Sequence, residues 1–185
     1  MVPLAAFVVI HVFDYGRVLF GAGEIGVRRY PSAVTFVAEA LFVWVPLAFH
    51  AVWSSSIWRR RRAAGANSPS LVAHRVAGVV VGLFLLDHFV RFRLPILRGE
   101  AHPGDSVLRL AAELSSTRGG VPWVAALHLA GVIAVAYHLA VGLGSLVDRS
   151  ERLRTSPLVR ASCVGTGVLI GLVGVLVILR LAAGS

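Results

Sequence analysis

Lysine is missing from this chain of 185 residues: all eighteen basic residues are arginine. Arginine presents a planar fork suited to carboxylates and phosphates, so anionic groups are the expected counterparts. Cysteine occurs once, at Cys163. That excludes a disulfide within the chain, a Cys-ligated iron–sulfur cluster and a C-x-x-C-H haem attachment. Charge of any kind is scarce, at 15% of residues, with nine acids giving a formal net charge of +9. The arginines flank apolar runs rather than forming a solvated stripe. Lipid headgroups, buried anionic cofactors or an acidic partner are therefore expected, and nucleic acid is not. Dinucleotide fingerprints, long-period repeats and low-complexity tracts are absent as well.

What the sequence does have is long apolar runs, 57% of its residues being hydrophobic. Four segments, 32–58, 71–93, 121–147 and 160–183, exceed the ~20 residues that a bilayer core requires. A fifth run opens the chain, "MVPLAAFVVIHVFDYG", with thirteen residues ahead of Asp14. That is about 20 Å of helix, too short to span, and it has neither the basic start nor the cleavage site of a signal peptide. It reads as the outer part of a first transmembrane helix, approximately 1–14, whose beginning is missing or unusually short, and a natural start upstream of Met1 is expected. The expectation is thus an all-α, integral membrane bundle of five helices, forming a single domain over 1–185. The short links 59–70 and 148–160 each carry four arginines, which places them in the cytoplasm by the positive-inside rule. The chain is then a multi-pass protein of the cytoplasmic (inner) membrane.

Histidines recur at helical positions where an ionisable group is costly. His11 lies three residues before Asp14 and His88 three before Arg91, near the outer boundary. His50 comes nineteen residues after Pro31 and His138 sixteen after Pro122, on inward-running helices. At 1.5 Å per residue they lie about 24–28 Å from the outer helix ends. An outer pair on helices one and three and an inner pair on helices two and four result. Two imidazoles from different helices at matching depth are what a bis-histidine b haem needs, so two stacked haems are expected. The competing reading is four hydrogen-bonded packing histidines.

Neighbouring residues sort around that frame. His128, ten residues before His138, reads as an interfacial histidine wetted from outside, with a competing ligand or a quinone pocket as its other readings. His74 opens the third helix, and Arg75 beside it suits a propionate of the inner haem. Arg17, Arg91 and Arg93 suit the outer one, or are ordinary membrane-edge arginines. Gly78, Gly82, Gly131 and Gly142 offer room for a flat porphyrin or for close helix packing. Gly167 and Gly171, on a fifth helix without histidine, read as packing positions. Pro46 is expected to bend helix two ahead of His50.

Several stretches resemble the five-helix, single-subunit dihaem cytochrome b of succinate dehydrogenases and fumarate reductases. "AEALFVWVPLAFHAVW" is similar to that family's second helix, "HRVAGVVVGLFLLDHF" to its third and "AGVIAVAYHLAVGLGSL" to its fourth. "FVVIHVFDYGRVLFGAGEIG" resembles the end of helix one and the loop beyond. The family's longer, polar N-terminal segment has no counterpart here. The resemblance implies that His50 and His138 ligate the haem nearer the cytoplasm, and His11 and His88 the outer one. It implies two non-covalent b haems, a quinone (menaquinone is expected), and two partners on the cytoplasmic face, a flavoprotein and an iron–sulfur protein. The dicarboxylate chemistry would belong to those partners, and anchoring, electron transfer and quinone chemistry to this chain. Quinone chemistry needs proton-carrying side chains, for which Asp14, Glu39, Asp87 and His128 are candidates. The two aspartates read equally as solvated helix ends or arginine partners. Alternatives are the dihaem anchor of a formate dehydrogenase, hydrogenase or nitrate reductase, and a haem-free membrane transporter.

Overall fold

The computed structural model describes residues 2–20, 32–63, 68–102, 105–148, 150–151 and 156–183. It is all-helical, with no strand among the described residues beyond an isolated bridge between Arg118 and Val121. Helix α1 is Val2–Gly16, followed by a 3₁₀ turn, Arg17–Phe20. Helix α2, Ser32–Glu39, runs through a π turn, Ala40–Trp44, into α3, Val45–Ala63. Helix α4, Pro69–His88, runs through a second π turn, Phe89–Arg93, into the short α5, Leu94–Leu97. Then come α6, Ser106–Ser115, α7, Trp123–Val147, and α8, Pro157–Ala182.

Four helices are long and apolar enough to cross a membrane: Phe36–Arg60, Pro69–Leu97, Trp123–Val147 and Pro157–Ala182. They make the chain a multi-pass membrane protein. The fifteen residues of α1 span only about 22 Å.

Local chemistry sets the helix ends. Both α4 and α8 begin with Ser-Pro: the Ser68 hydroxyl accepts from Leu71 N–H and that of Ser156 from Val159 N–H, with proline at the first helical position. Serine satisfies an orphan donor there, and proline has no N–H to leave unpaired. Between α6 and α7 the chain reverses through Gly119 and Gly120, at φ +61° and +78°. Arg118 and Val121 exchange backbone hydrogen bonds across them. Glycine reaches such angles without penalty, so the reversal is tight.

Both π turns have one cause. Each ends two residues before a proline, Pro46 or Pro95, and each is closed by an N–H bonded five residues back, Val45 to Ala40 and Leu94 to Phe89. Proline lacks an N–H and crowds the carbonyl four residues earlier, so the helix widens by one residue just ahead of it. The expected effect of Pro46 on helix two takes this form.

The tightest seam joins α7 and α8. A Cβ on Gly167 would lie 2.7 Å from the Ala136 carbonyl and from Ala140 Cβ, and one on Gly174 would lie 2.6 Å from Val132. Small residues let backbones approach where lipid offers no hydrophobic drive. Gly131 meets Phe84 on α4 in the same way. It closes the α4–α7 seam and does not make room for a porphyrin, whereas a Cβ on Gly82 would meet nothing within 4 Å. The buried cluster sits at the end of the bundle that the positive-inside rule puts outside: Phe92, Leu110, Leu114, Val124, Ala125, Val177, Ile178 and Leu181. The α2–α3 span stands apart from this packing. Its apolar window is 6% buried, against 28% for α7 and α8.

Candidate functional site

At the inner level three histidines from three helices meet. His50 on α3 faces His138 on α7 with ring centroids 6.0 Å apart and planes at 77°. His74 on α4 stacks on His138 at 4.1 Å, with 6° between planes. His138 Nδ1 lies 3.2 Å from the His74 carbonyl oxygen. A carbonyl only accepts, so Nδ1 carries the proton and Nε2 is left as a bare lone pair. Gly78 makes room for this ring, since a Cβ there would come within 3.0 Å of His138 Cε1. Arg75 lies over Trp58 at 5.7 Å and ties the inner ends of α3 and α4 together.

At the outer level His11 on α1 faces His88 on α4, again at 6.0 Å, with planes at 87°. Phe7 and Tyr15 flank His11 at 5.3 and 4.9 Å. A third ring, His128 on α7, lies 5.9 Å from His88. The reading of His128 as wetted from outside does not hold. It is 3% exposed, enclosed by Phe84 and Phe92, and its Nδ1 donates to the Val124 carbonyl at 2.9 Å. Depth counting puts it at the level of His88, which it neighbours, and says nothing of the aromatic wall around it. Three buried nitrogens have no hydrogen-bond partner among the described residues: His74 Nδ1, His88 Nδ1 and His128 Nε2.

Charged side chains surround the outer level. Arg91 bonds both carboxylate oxygens of Asp87, at 2.9 and 2.8 Å, and reaches Glu113 on α6 at 3.1 Å. Arg93 pairs with Glu39 at 2.7 Å. That pair joins the residue preceding the first π turn to the last residue of the second, and Trp44 meets Phe89 across the same gap at 4.8 Å. The two widened turns are therefore clamped to each other. Of the sequence candidates, Asp87 takes an arginine partner, Glu39 takes one from another helix, and Asp14 is exposed. Arg91 and Arg93 are engaged by carboxylates. Sequence reasoning missed α6, which supplies Glu113 and Arg109, the latter donating to the Arg91 carbonyl at 3.2 Å. Its signal was the spacing Val107, Leu110, Ala111, Leu114, one apolar face in an otherwise polar loop.

These residues fit b haems on three grounds. An iron about 2 Å from one nitrogen of each of two facing rings sets their centroids about 6.3 Å apart, and both pairs stand at 6.0 Å. His138 has its Nδ1 tied to a carbonyl, the arrangement that fixes a metal-ligating imidazole. The α2–α3 span packs closely on α1 but meets α4, its π turn and α7 at Glu39–Arg93, Trp44–Phe89, His50–His138 and Trp58–Arg75, side-chain contacts that can leave space for a plate on that side. His11, His88, His50 and His138 would hold the iron. Ten residues of α7 separate His128 from His138 and fourteen of α4 separate His74 from His88, so the levels lie about 15–21 Å apart along the helices. Among the described residues no three His, Cys, Asp or Glu side chains form a cage for a bare metal ion. Compared with family models, curated proteins and solved structures, the chain matches none.

Proposed function

We propose that this chain is the membrane cytochrome b subunit of a succinate:quinone oxidoreductase, holding two b haems between a cytoplasmic iron–sulfur partner and membrane quinone. The observation that supports the haems is the pair of facing imidazoles repeated at two depths, each at 6.0 Å, and the choice of a succinate:quinone oxidoreductase over other dihaem anchors rests on the sequence resemblance. Bound haem supplies a one-electron carrier at each level. His50 and His138 hold the inner one and His11 and His88 the outer one, while the helix spacing keeps the two within electron-transfer reach. Arg75, beside the inner pair, remains the propionate candidate.

Protons move at the outer end in this reading. Asp87, Arg91 and Glu113 form a continuous charged chain beginning one residue from His88, and the Glu113 side chain is 41% exposed. It offers a quinone (menaquinone as the expected species) a route for protons to the outer surface. Glu39 is held by Arg93 in the same region, and Asp14 lies at the end of α1. The flavoprotein and iron–sulfur partners would dock at the opposite end, where Arg59 and Arg60 are exposed. The remainder of that link, at 64–67, residues 149 and 152–155 of the other, and Arg28 and Arg29 of the outer loop lie outside the described residues. The setting would be the cytoplasmic membrane.

The test is a reduced-minus-oxidised visible spectrum of the purified protein together with extracted haem per chain. Two b haems per chain and a co-purifying iron–sulfur protein are expected. A colourless protein would overturn the reading.

A further inference from the structure

We infer that His128 is a positioning residue for the outer iron ligand, accepting the Nδ1 proton of His88 through one bridging water. The inference rests on the proposed outer haem site. Its basis is a match between two orphaned atoms. His128 donates from Nδ1 to the Val124 carbonyl, so its neutral ring has an unprotonated Nε2, and that nitrogen is buried without a partner. His88 Nδ1 is also buried without a partner, and its ring is 5.9 Å from that of His128. A ligand that binds iron through Nε2 keeps its proton on Nδ1 and needs an acceptor for it. A direct N–H···N bond of about 2.9 Å places two imidazole centroids at most about 5.2 Å apart, so at 5.9 Å the rings stand beyond a direct bond and one bridging water spans the gap.

His128 is not itself the second axial ligand. Helices α4 and α7 are in contact beside it, with Phe84 against Gly131, and that seam leaves no gap for a porphyrin. The inner site meets the same need differently, with the His74 carbonyl as acceptor for His138. An imidazole acceptor behind a ligating histidine makes the ligand more electron-rich and favours ferric iron, so its loss should raise the outer midpoint potential.

The experiment is a redox titration followed in the visible spectrum, on membranes carrying the whole complex, for wild type, His128→Leu and His128→Gln. Leucine should favour reduction of the outer component about tenfold, about 59 mV for one electron, and leave the inner component in place. Glutamine brings an amide oxygen near the Nε2 position and should return the midpoint toward wild type. Where the leucine variant fails to assemble, His128→Met takes its place with the same expectation. An unshifted outer midpoint, or equal shifts with glutamine and leucine, overturns the role given to His128. Absence of haem bands in the wild type strikes the proposed function instead.

Discussion

The outer and inner histidine levels use the same side chain in unlike surroundings. Outside, His11, His88 and His128 sit beside the apolar cluster of Phe92, Leu110 and Leu114, under the amphipathic α6, with two ion-pair systems alongside. Inside, His50, His74 and His138 have no covering helix among the described residues, and the nearby ties are an imidazole stack, a backbone carbonyl and the Arg75–Trp58 contact. Packing and charge hold the outer site; imidazole contacts among the helices hold the inner one. On the proposed function that difference would match a division of labour in which the outer end manages protons and the inner end receives electrons.

If that contrast is right, damage to the outer packing should stay outside. Leu114 is fully buried, and Leu114→Ala should cost about 2–5 kcal/mol in thermal unfolding of the detergent-solubilised protein. The outer spectral component should broaden or shift while the inner one is unmoved; equal disturbance of both would break the comparison. A smaller effect is expected at the clamp between the π turns. Glu39→Gln should cost about 1–2 kcal/mol, since the pair is largely but not fully buried, and most of that should vanish in an Arg93→Gln background. Additive losses in that double-mutant cycle would mean that the two residues do not act as a pair. The smallest effect belongs to the inner end, where Arg160 and Asp148 pair with more than half of each side chain exposed. Asp148→Asn should change stability by no more than about 0.5 kcal/mol, and a larger loss would show the inner end to be more tightly tied than described.

Much of this arrangement could be read from the residues. Apolar length marks the four spanning helices, because hydrocarbon thickness sets a minimum length. Counting residues from the helix ends placed His50 with His138 and His11 with His88, because helical rise is constant. The same counting gives height and says nothing of which neighbour a side chain faces. His74 therefore looked like a residue at the helix mouth, although it stacks on His138, and His128 looked wetted, although it is enclosed. Gly131 carried two readings in the sequence, and only the position of Phe84 decides between them. Helix α6 escaped notice because ten residues with charged members resemble a loop unless the 107, 110, 111, 114 spacing is weighed. The π turns were hidden for a related reason: Pro46 signals a disturbed helix, but not that Pro95 disturbs its neighbour in the same manner and at the level where Glu39 meets Arg93.

The pairing by depth is tested most directly by redox-resolved visible spectra of membranes carrying His11→Ala, His50→Ala, His88→Ala and His138→Ala, with His102→Ala as the loop control. On the proposed function each truncation would leave one iron a ligand short, so losses should group by shared haem. His50→Ala and His138→Ala should remove or alter one component, His11→Ala and His88→Ala the other, and His102→Ala neither. If His50→Ala grouped with His88→Ala instead of His138→Ala, two haems held by pairs at matched depth would be contradicted.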